Sequence, residues 1–207
     1  MIAALFVAKG GVYWDRPDVD PWDESRDARL YAGPHPVVAH PPCSRWCQLA
    51  HVNQKRYGHK VGDDGGCFAK ALVAVNRWGG VLEHPAFTYA WAAFGLPDPG
   101  PGWQRVQADD ESSPDLKAWT CQVSQGAYGH PARKLTWLYY VGAAPPPPLD
   151  WSVPEPTAQV SFCKNHGNSP LPRLSKKAAK ATPAPFADLL ISIASSAAPS
   201  GRRGGEG

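Results

Sequence analysis

The sequence predicts an α/β fold, a sheet with flanking helices, on three observations. The apolar run Met1–Ala8 leads into Lys9-Gly10-Gly11, and Pro36–Ala39 leads into His40-Pro41-Pro42-Cys43. An amphipathic stretch over 67–78 ends at Gly79-Gly80, just before Val81-Leu82-Glu83. Apolar runs that alternate with a helical pattern and glycine turns are the signature of a sheet covered by helices.

Taken in order, residues 2–8 form a first strand, a short continuous apolar run. The glycine turn after it is a common way for backbone to approach a nucleotide-type ligand. Residues 13–35 are acidic and interrupted by proline, with a short helical piece over 24–31. Residues 36–39 form a second strand. Residues 44–66 are polar and end in Gly62-Asp63-Asp64-Gly65-Gly66, the composition of a mobile loop. Over 67–78, Phe68, Ala71, Leu72, Val75 and Trp78 recur at helical spacing, and Gly79-Gly80 stops the helix. Residues 81–83 begin a strand. A loop rich in Pro, Gly and Asp over 95–118 precedes two more strands, 119–124 and 135–141. Pro145–Pro148 is a stiff linker into irregular chain that runs to about residue 180. Pro183–Ala194 predicts an amphipathic helix with Phe186, Leu189, Leu190 and Ile193 on one side, and Ser195–Gly207 a disordered tail.

Composition sets the bounds. A chain of 207 residues with 43% hydrophobic content can bury a real core, which excludes disorder throughout. A net charge of +3 permits nucleic-acid binding without arguing for it. Five irregularly spaced cysteines imply no disulfide framework, so a reducing, cytoplasmic setting is expected. The apolar start lacks a basic flank and is too short for a signal peptide, and no segment reaches the roughly 20 apolar residues of a membrane span.

Three places carry candidate chemistry. Two prolines stiffen the approach to Cys43, as they would for a sulfur that must sit in one place, and Arg45 is expected to favour the thiolate. The plainer alternative is a small buried hydrophobe at a strand end. Glu83 ends a buried strand, where α/β sheets bind ligands. Partial burial there would raise its pKa and leave it protonated at neutral pH. The alternative is a solvated loop acid. Arg133 and Lys134 stand at the mouth of an aromatic strand, placed for phosphates or a bound base, or else as a solvated basic turn. A fourth cluster, His40, Cys43, Cys47, His51, His59 and Cys67, matches zinc spacing only weakly, and no metal is expected.

These segments resemble, in order, the motifs of the cytosine-C5 DNA methyltransferase family. Leu5-Phe6-Val7-Ala8-Lys9-Gly10-Gly11 resembles the Phe-x-Gly-x-Gly-Gly cofactor loop, and His40-Pro41-Pro42-Cys43 the Pro-Cys nucleophile motif. Leu82-Glu83-His84 resembles Glu-Asn-Val, and Tyr128-Gly129-His130-Pro131 through Gly142 resembles Tyr-Gly-x-Pro-Gln-x-Arg-x-Arg. Thr182-Pro183-Ala184-Pro185-Phe186-Ala187 and its helix resemble the last motif. The chain departs from the pattern at Ala8, where the family has glycine, at His84 for asparagine, and at Ala132, Lys134 and Thr136 for Gln, Arg and Arg. The short form resembles methylase-like proteins of bacteriophages.

The resemblance implies a trimmed Rossmann-like methyltransferase sheet with flanking helices. It implies a catalytic α/β domain over 1–144, a reduced recognition region over 145–180, a C-terminal helix over 181–194 packing back on that domain, and a tail over 195–207. It implies S-adenosylmethionine as cofactor, held by Phe6, Ala8, Gly10, Gly11 and Pro41, with Asp20 or Asp18 on its ribose. It implies DNA as partner, with Cys43, Glu83, Arg133 and Lys134 as catalytic residues. Cys43 would add to cytosine C6, and Glu83 would hydrogen-bond N3 and the exocyclic amine. A stacked base is out of reach, so the cytosine must be single-stranded or flipped. Gln54, Lys55, Arg56, His59 and Lys60 are expected to close over it and touch phosphates, or else to form a basic surface loop. Three rival functions stand beside this one: another pyrimidine-base-modifying enzyme on the same scaffold, a non-catalytic nucleic-acid-binding protein, and a zinc-stabilised binding module.

Overall fold

The computed structural model describes residues 1–107, 116–160 and 170–197. Seven strands form one mixed sheet in the order β2-β1-β3-β4-β7-β6-β5. The parallel half comprises β1 (Ile2–Leu5), β2 (Val19–Trp22), β3 (Val37–Ala39) and β4 (Gly80–Pro85). The antiparallel half adds β5 (Gln104–Val106), β6 (Lys117–Ser124) and β7 (Leu135–Gly142), with β7 pairing to β4.

Strands β1 and β3 are short, wholly apolar and wholly buried, as central parallel strands covered on both faces must be. Their alternating side chains feed two cores. Ile2, Ala4, Val38, Val81, Leu138 and Tyr140 pack with Phe186, Leu190 and Ile193 of α5 (Ala184–Ser196). Ala3, Leu5, Val37, Ala39, Leu82 and Tyr139 pack with Phe68, Ala71 and Val75 of α2 (Cys67–Trp78). Trp91 of α3 (Tyr89–Ala93) joins that second core. Helix α5 thus covers a face that the connection from β1 to β2 leaves without a helix of its own.

Gly80 sets the start of β4. Its φ is +120°, and a Cβ there would stand 2.0 Å from the Val37 carbonyl oxygen. Only glycine lets β3 and β4 approach in the register that pairs Val37 with Gly80 and Ala39 with Leu82.

Several expectations change. The first strand stops at Leu5, because Phe6 turns left-handed at φ 60°. The segment over 24–31 is two 3-10 turns, Glu24–Arg26 and Ala28–Leu30, broken at Asp27 with φ 50°. Residues 44–66 are no uniform loop but hold α1 (Ala50–Tyr57). The irregular segment over 145–180 ends in α4 (Lys176–Lys180), capped by the Ser175 side chain. Ser195 and Ser196 belong to α5 and Ala197 is fully buried, so these three residues are not part of the expected tail. Residues 198–207 lie outside the described residues. Among the described residues, no helix is long and apolar enough to cross a membrane.

Candidate functional site

The turn that presents Cys43 is fastened from several sides. The His40 amide donates to the Leu5 carbonyl at 3.0 Å, which carries the β1–β3 pairing one residue past the strand. Pro41 is buried, and Pro42 leads into a 3-10 turn over Cys43–Arg45. The amides of Trp46 and Cys47 donate to the Cys43 carbonyl at 3.0 and 2.9 Å. The Trp46 indole is buried and donates to Asp64 Oδ2 at 2.8 Å, the same oxygen that accepts the Phe68 amide at the start of α2. The Trp46 carbonyl accepts the Tyr89 amide at 2.8 Å, which ties the turn to the chain beyond β4.

Glu83 lies at the centre of a buried hydrogen-bonded line. Because Ala39 pairs with Leu82, the next residues, His40 and Glu83, stand side by side; His40 lies just past β3, whereas Glu83 does not end its strand as expected, since pairing with β7 carries β4 on to Pro85. His40 Nδ1 is 2.9 Å from Glu83 Oε2, and His40 Nε2 is 2.7 Å from the Tyr13 hydroxyl. Both ring nitrogens of His40 are thus engaged, one by a carboxylate and the other by a hydroxyl. On the other side, Gln125 Nε2 donates to Glu83 Oε1 at 3.1 Å and to Thr136 Oγ1 at 2.9 Å. Next to Glu83, His84 Nδ1 meets Thr88 Oγ1 at 2.8 Å, and burial pulls the imidazole down to about 4 against the opposing charges of Glu83 and Asp64.

The charges correct two expectations. Burial pushes the Glu83 carboxyl up, but the hydrogen bond and charge of His40, with Lys134 and His84, outweigh it and hold the pKa below its ordinary value. Glu83 is therefore a carboxylate at neutral pH, not an acid holding a proton. The Cys43 thiol moves the other way. Burial drives it up to about 11, Cys47 and Glu83 add to the rise, and Lys180 opposes it. The opposing cation is Lys180 rather than Arg45, and the thiol is protonated in the protein alone.

Lys134 joins the cluster. Burial lowers its pKa, while Glu83 and Cys43 favour its charged form. Its Nζ donates to the Ala181 carbonyl at 3.0 Å, so the chain leaving α4 closes one side of the site. Arg133, one residue earlier, is exposed and does not join.

The expected cofactor residues line the neighbouring edge. Phe6 turns the chain at the end of β1, and the exposed Ala8 carbonyl accepts the Gly11 amide at 3.0 Å and the Trp14 indole at 2.7 Å. Gly10 has φ +65°, and a Cβ added to it would meet nothing within 4 Å. This open turn at a carboxyl strand end suits a nucleotide-type ligand. Asp20 lies within β2, its carboxylate engaged by Arg26 and by the Trp22 indole. Asp18 precedes β2 at the opposite edge of the sheet, where its carbonyl accepts the Ile2 amide. The acid at the carboxyl end of β2 is Asp23, whose Oδ1 caps the Glu24–Arg26 turn by accepting the Ser25 hydroxyl and the Ser25 and Arg26 amides; these bonds, with Lys9 of the glycine turn, hold its pKa below the ordinary value.

The zinc set does not assemble. Among the described residues, no group of three or more His, Cys, Asp or Glu side chains is placed to hold a metal. His40 is committed to Tyr13 and Glu83, and His51 packs edge-on against Tyr89.

Sequence reasoning missed Tyr13, Gln125 and Asp23 as members of this edge, and gave His40 no role of its own. Tyr13 reaches the site from the loop between β1 and β2, Gln125 from the 3-10 turn after β6 and Asp23 from the end of β2, and the one sequence signal was the position of His40 just before the Pro-Pro-Cys turn. No family model, curated protein or solved structure matches the chain.

Proposed function

We propose that the chain is a DNA (cytosine-5)-methyltransferase-like enzyme, with Cys43 as nucleophile and Glu83 as the grip on the cytosine ring. The observation that carries this reading is the meeting of Cys43, Glu83 and Lys134 at the carboxyl ends of the central strands, where each acts on another's charge. The order of the segments supports it: a glycine turn after β1, the thiol after β3, the carboxylate within β4, and a cation entering β7. A mixed sheet with helices on both faces suits a trimmed Rossmann-like methyltransferase.

An ionised Glu83 fits the chemistry. As Sγ bonds to C6, the thiol proton is lost and cytosine N3 gains one, so the net transfer is from sulfur to N3. A carboxylate beside N3 accepts hydrogen bonds from the new N3–H and from the exocyclic amine, which holds the neutral enamine adduct and would offset the positive charge that develops at N3 and C4 when C5 takes a methyl group. Thiol ionisation is then coupled to base binding, which accounts for a thiol that stays protonated in the protein alone. Lys134 faces both groups and offsets their negative charge. S-adenosylmethionine would supply the electrophilic methyl group for C5, and Phe6, Gly10 and Gly11 would hold it.

A second reading has one specific observation behind it. The Asp20 carboxylate is occupied by Arg26, and the connection from β1 to β2 contains no helix, so the cofactor half is reduced. Such a scaffold suits another modification of a pyrimidine base. Mass spectrometry of nucleosides from DNA incubated with protein and S-adenosylmethionine separates the two. A gain of one methyl on cytosine supports the first reading, a different adduct the second, and unmodified DNA neither.

A further inference from the structure

Helix α1 follows the nucleophile turn yet has almost no place in either core. Only Ala50 is buried, and apart from Asn53 the residues from His51 to Tyr57 are exposed. A helix without an apolar face needs charge pairs or a partner to hold it. Pairs within the segment are impossible, because from His40 to Gly62 the chain has no Asp or Glu, while it carries Arg45, Lys55, Arg56 and Lys60. Among the described residues, none of these four cations is ion-paired with an acid elsewhere.

Large rings stand in water beside these cations. Tyr57 is 58% exposed with the Arg56 guanidinium 5.4 Å from its ring centre, Phe87 is 51% exposed, and Tyr89 is 38% exposed. The His51 ring meets Tyr89 edge-on at 4.9 Å, which joins α1 to the chain that follows β4. Phe87 adopts φ 62°, a conformation that costs a bulky residue energy, and its ring rests edge-on against Trp137. The Tyr89 amide bonds the Trp46 carbonyl, and the Cys47 amide bonds the Cys43 carbonyl, so the whole patch adjoins the nucleophile.

Exposed rings interleaved with unpaired cations are what a single nucleic-acid strand requires: faces for bases and charges for phosphates. A duplex offers closed base stacks to which such rings have no access. An anionic membrane would need a continuous apolar face, and α1 presents only Val52 and Tyr57. We propose that α1, with Phe87 and Tyr89, forms a binding track for single-stranded nucleic acid that leads to Cys43. The track serves where a separate recognition domain would otherwise hold the substrate. It rests on the cytosine reading only for the identity of the base at its end.

The test is fluorescence anisotropy on the full chain carrying Cys43→Ala, which removes the covalent step. The probes are a labelled pyrimidine-rich single strand of about 16 nucleotides, the same sequence as a duplex, and phosphatidylserine vesicles. The expected result is single-strand binding at least roughly tenfold tighter than duplex binding. Lys55→Glu with Arg56→Glu weakens it by at least about tenfold and lowers the salt slope by about 1.4, the release from two phosphates. Phe87→Ala with Tyr89→Ala weakens it roughly tenfold and leaves the slope unchanged. All four positions are exposed, so circular dichroism should report folded variants. No single-strand binding, equal duplex binding, preference for vesicles, or indifference to both double variants overturns the proposal. Single-strand binding in this assay, with no base modification by the parent protein, would sink the enzymatic reading alone, and modification by the parent protein without strand preference would sink the track alone.

Discussion

His40 Nδ1 lies 2.9 Å from Glu83 Oε2, and this contact ties together the carboxyl ends of two neighbouring parallel strands. It decides the charge of the site. Burial alone would leave Glu83 protonated, and with His40 in place the carboxyl titrates below its ordinary range.

The first prediction concerns this pair. A carboxylate with a lowered folded-state pKa adds stability that is fully present above its unfolded value, about 4.3. That stability disappears as pH falls through the lower folded value. His40→Ala leaves burial unopposed by its main partner, so the Glu83 pKa rises and the dependence reverses, with stability falling as pH rises past about 4.3. Urea titrations between pH 3 and pH 7 should show this reversal and a loss of about 2 kcal/mol at neutral pH. Parallel pH profiles for the two proteins would refute it.

The thiol provides the second prediction. Glu83 helps to raise the Cys43 pKa to about 11. Glu83→Gln removes that negative charge, so the pKa falls and alkylation by iodoacetamide at pH 8 becomes several-fold faster. Peptide mass mapping separates Cys43 from the other cysteines. An unchanged or slower rate would mean that the two groups do not interact.

Gly80→Ala is predicted to cost more than about 3 kcal/mol, because the new methyl meets backbone that cannot yield at an already unfavourable φ. Register between β3 and β4 is what sets His40 beside Glu83, so the variant should also lose the pH dependence described above. A melting curve within a few degrees of the parent would contradict this.

Phe186→Ala probes the C-terminal helix. Phe186 is fully buried against the sheet face that carries Ile2, Ala4 and Val38. The expected loss is about 3–5 kcal/mol in chemical denaturation. A loss under about 1 kcal/mol would mean that α5 is dispensable to the core.

Legibility followed the physics of each element. Helix α2 was readable because Phe68, Ala71 and Val75 repeat at helical spacing and Gly79 ends it. Strand β2 was not readable, because an edge strand tolerates Pro21 and acidic neighbours. Helix α1 was hidden by its lack of an apolar stripe. Cys43 stood out after an apolar strand and a proline pair, and Glu83 as a carboxylate closing an apolar run. The contacts of Glu83 with His40 and Gln125 did not, since the partners lie about forty residues away in sequence and meet through register. The direction of the Glu83 shift depended on such a contact, so burial alone pointed the wrong way.

The most direct test of the central claim is covalent trapping on single-stranded DNA containing 5-fluorocytosine, with S-adenosylmethionine present. A fluorine at C5 cannot leave as a proton, so the adduct between sulfur and C6 persists in denaturing gels. The account predicts a stable complex with the parent protein that disappears in Cys43→Ala and is strongly reduced in Glu83→Gln. No complex with the parent protein, or one that survives Cys43→Ala, would contradict it.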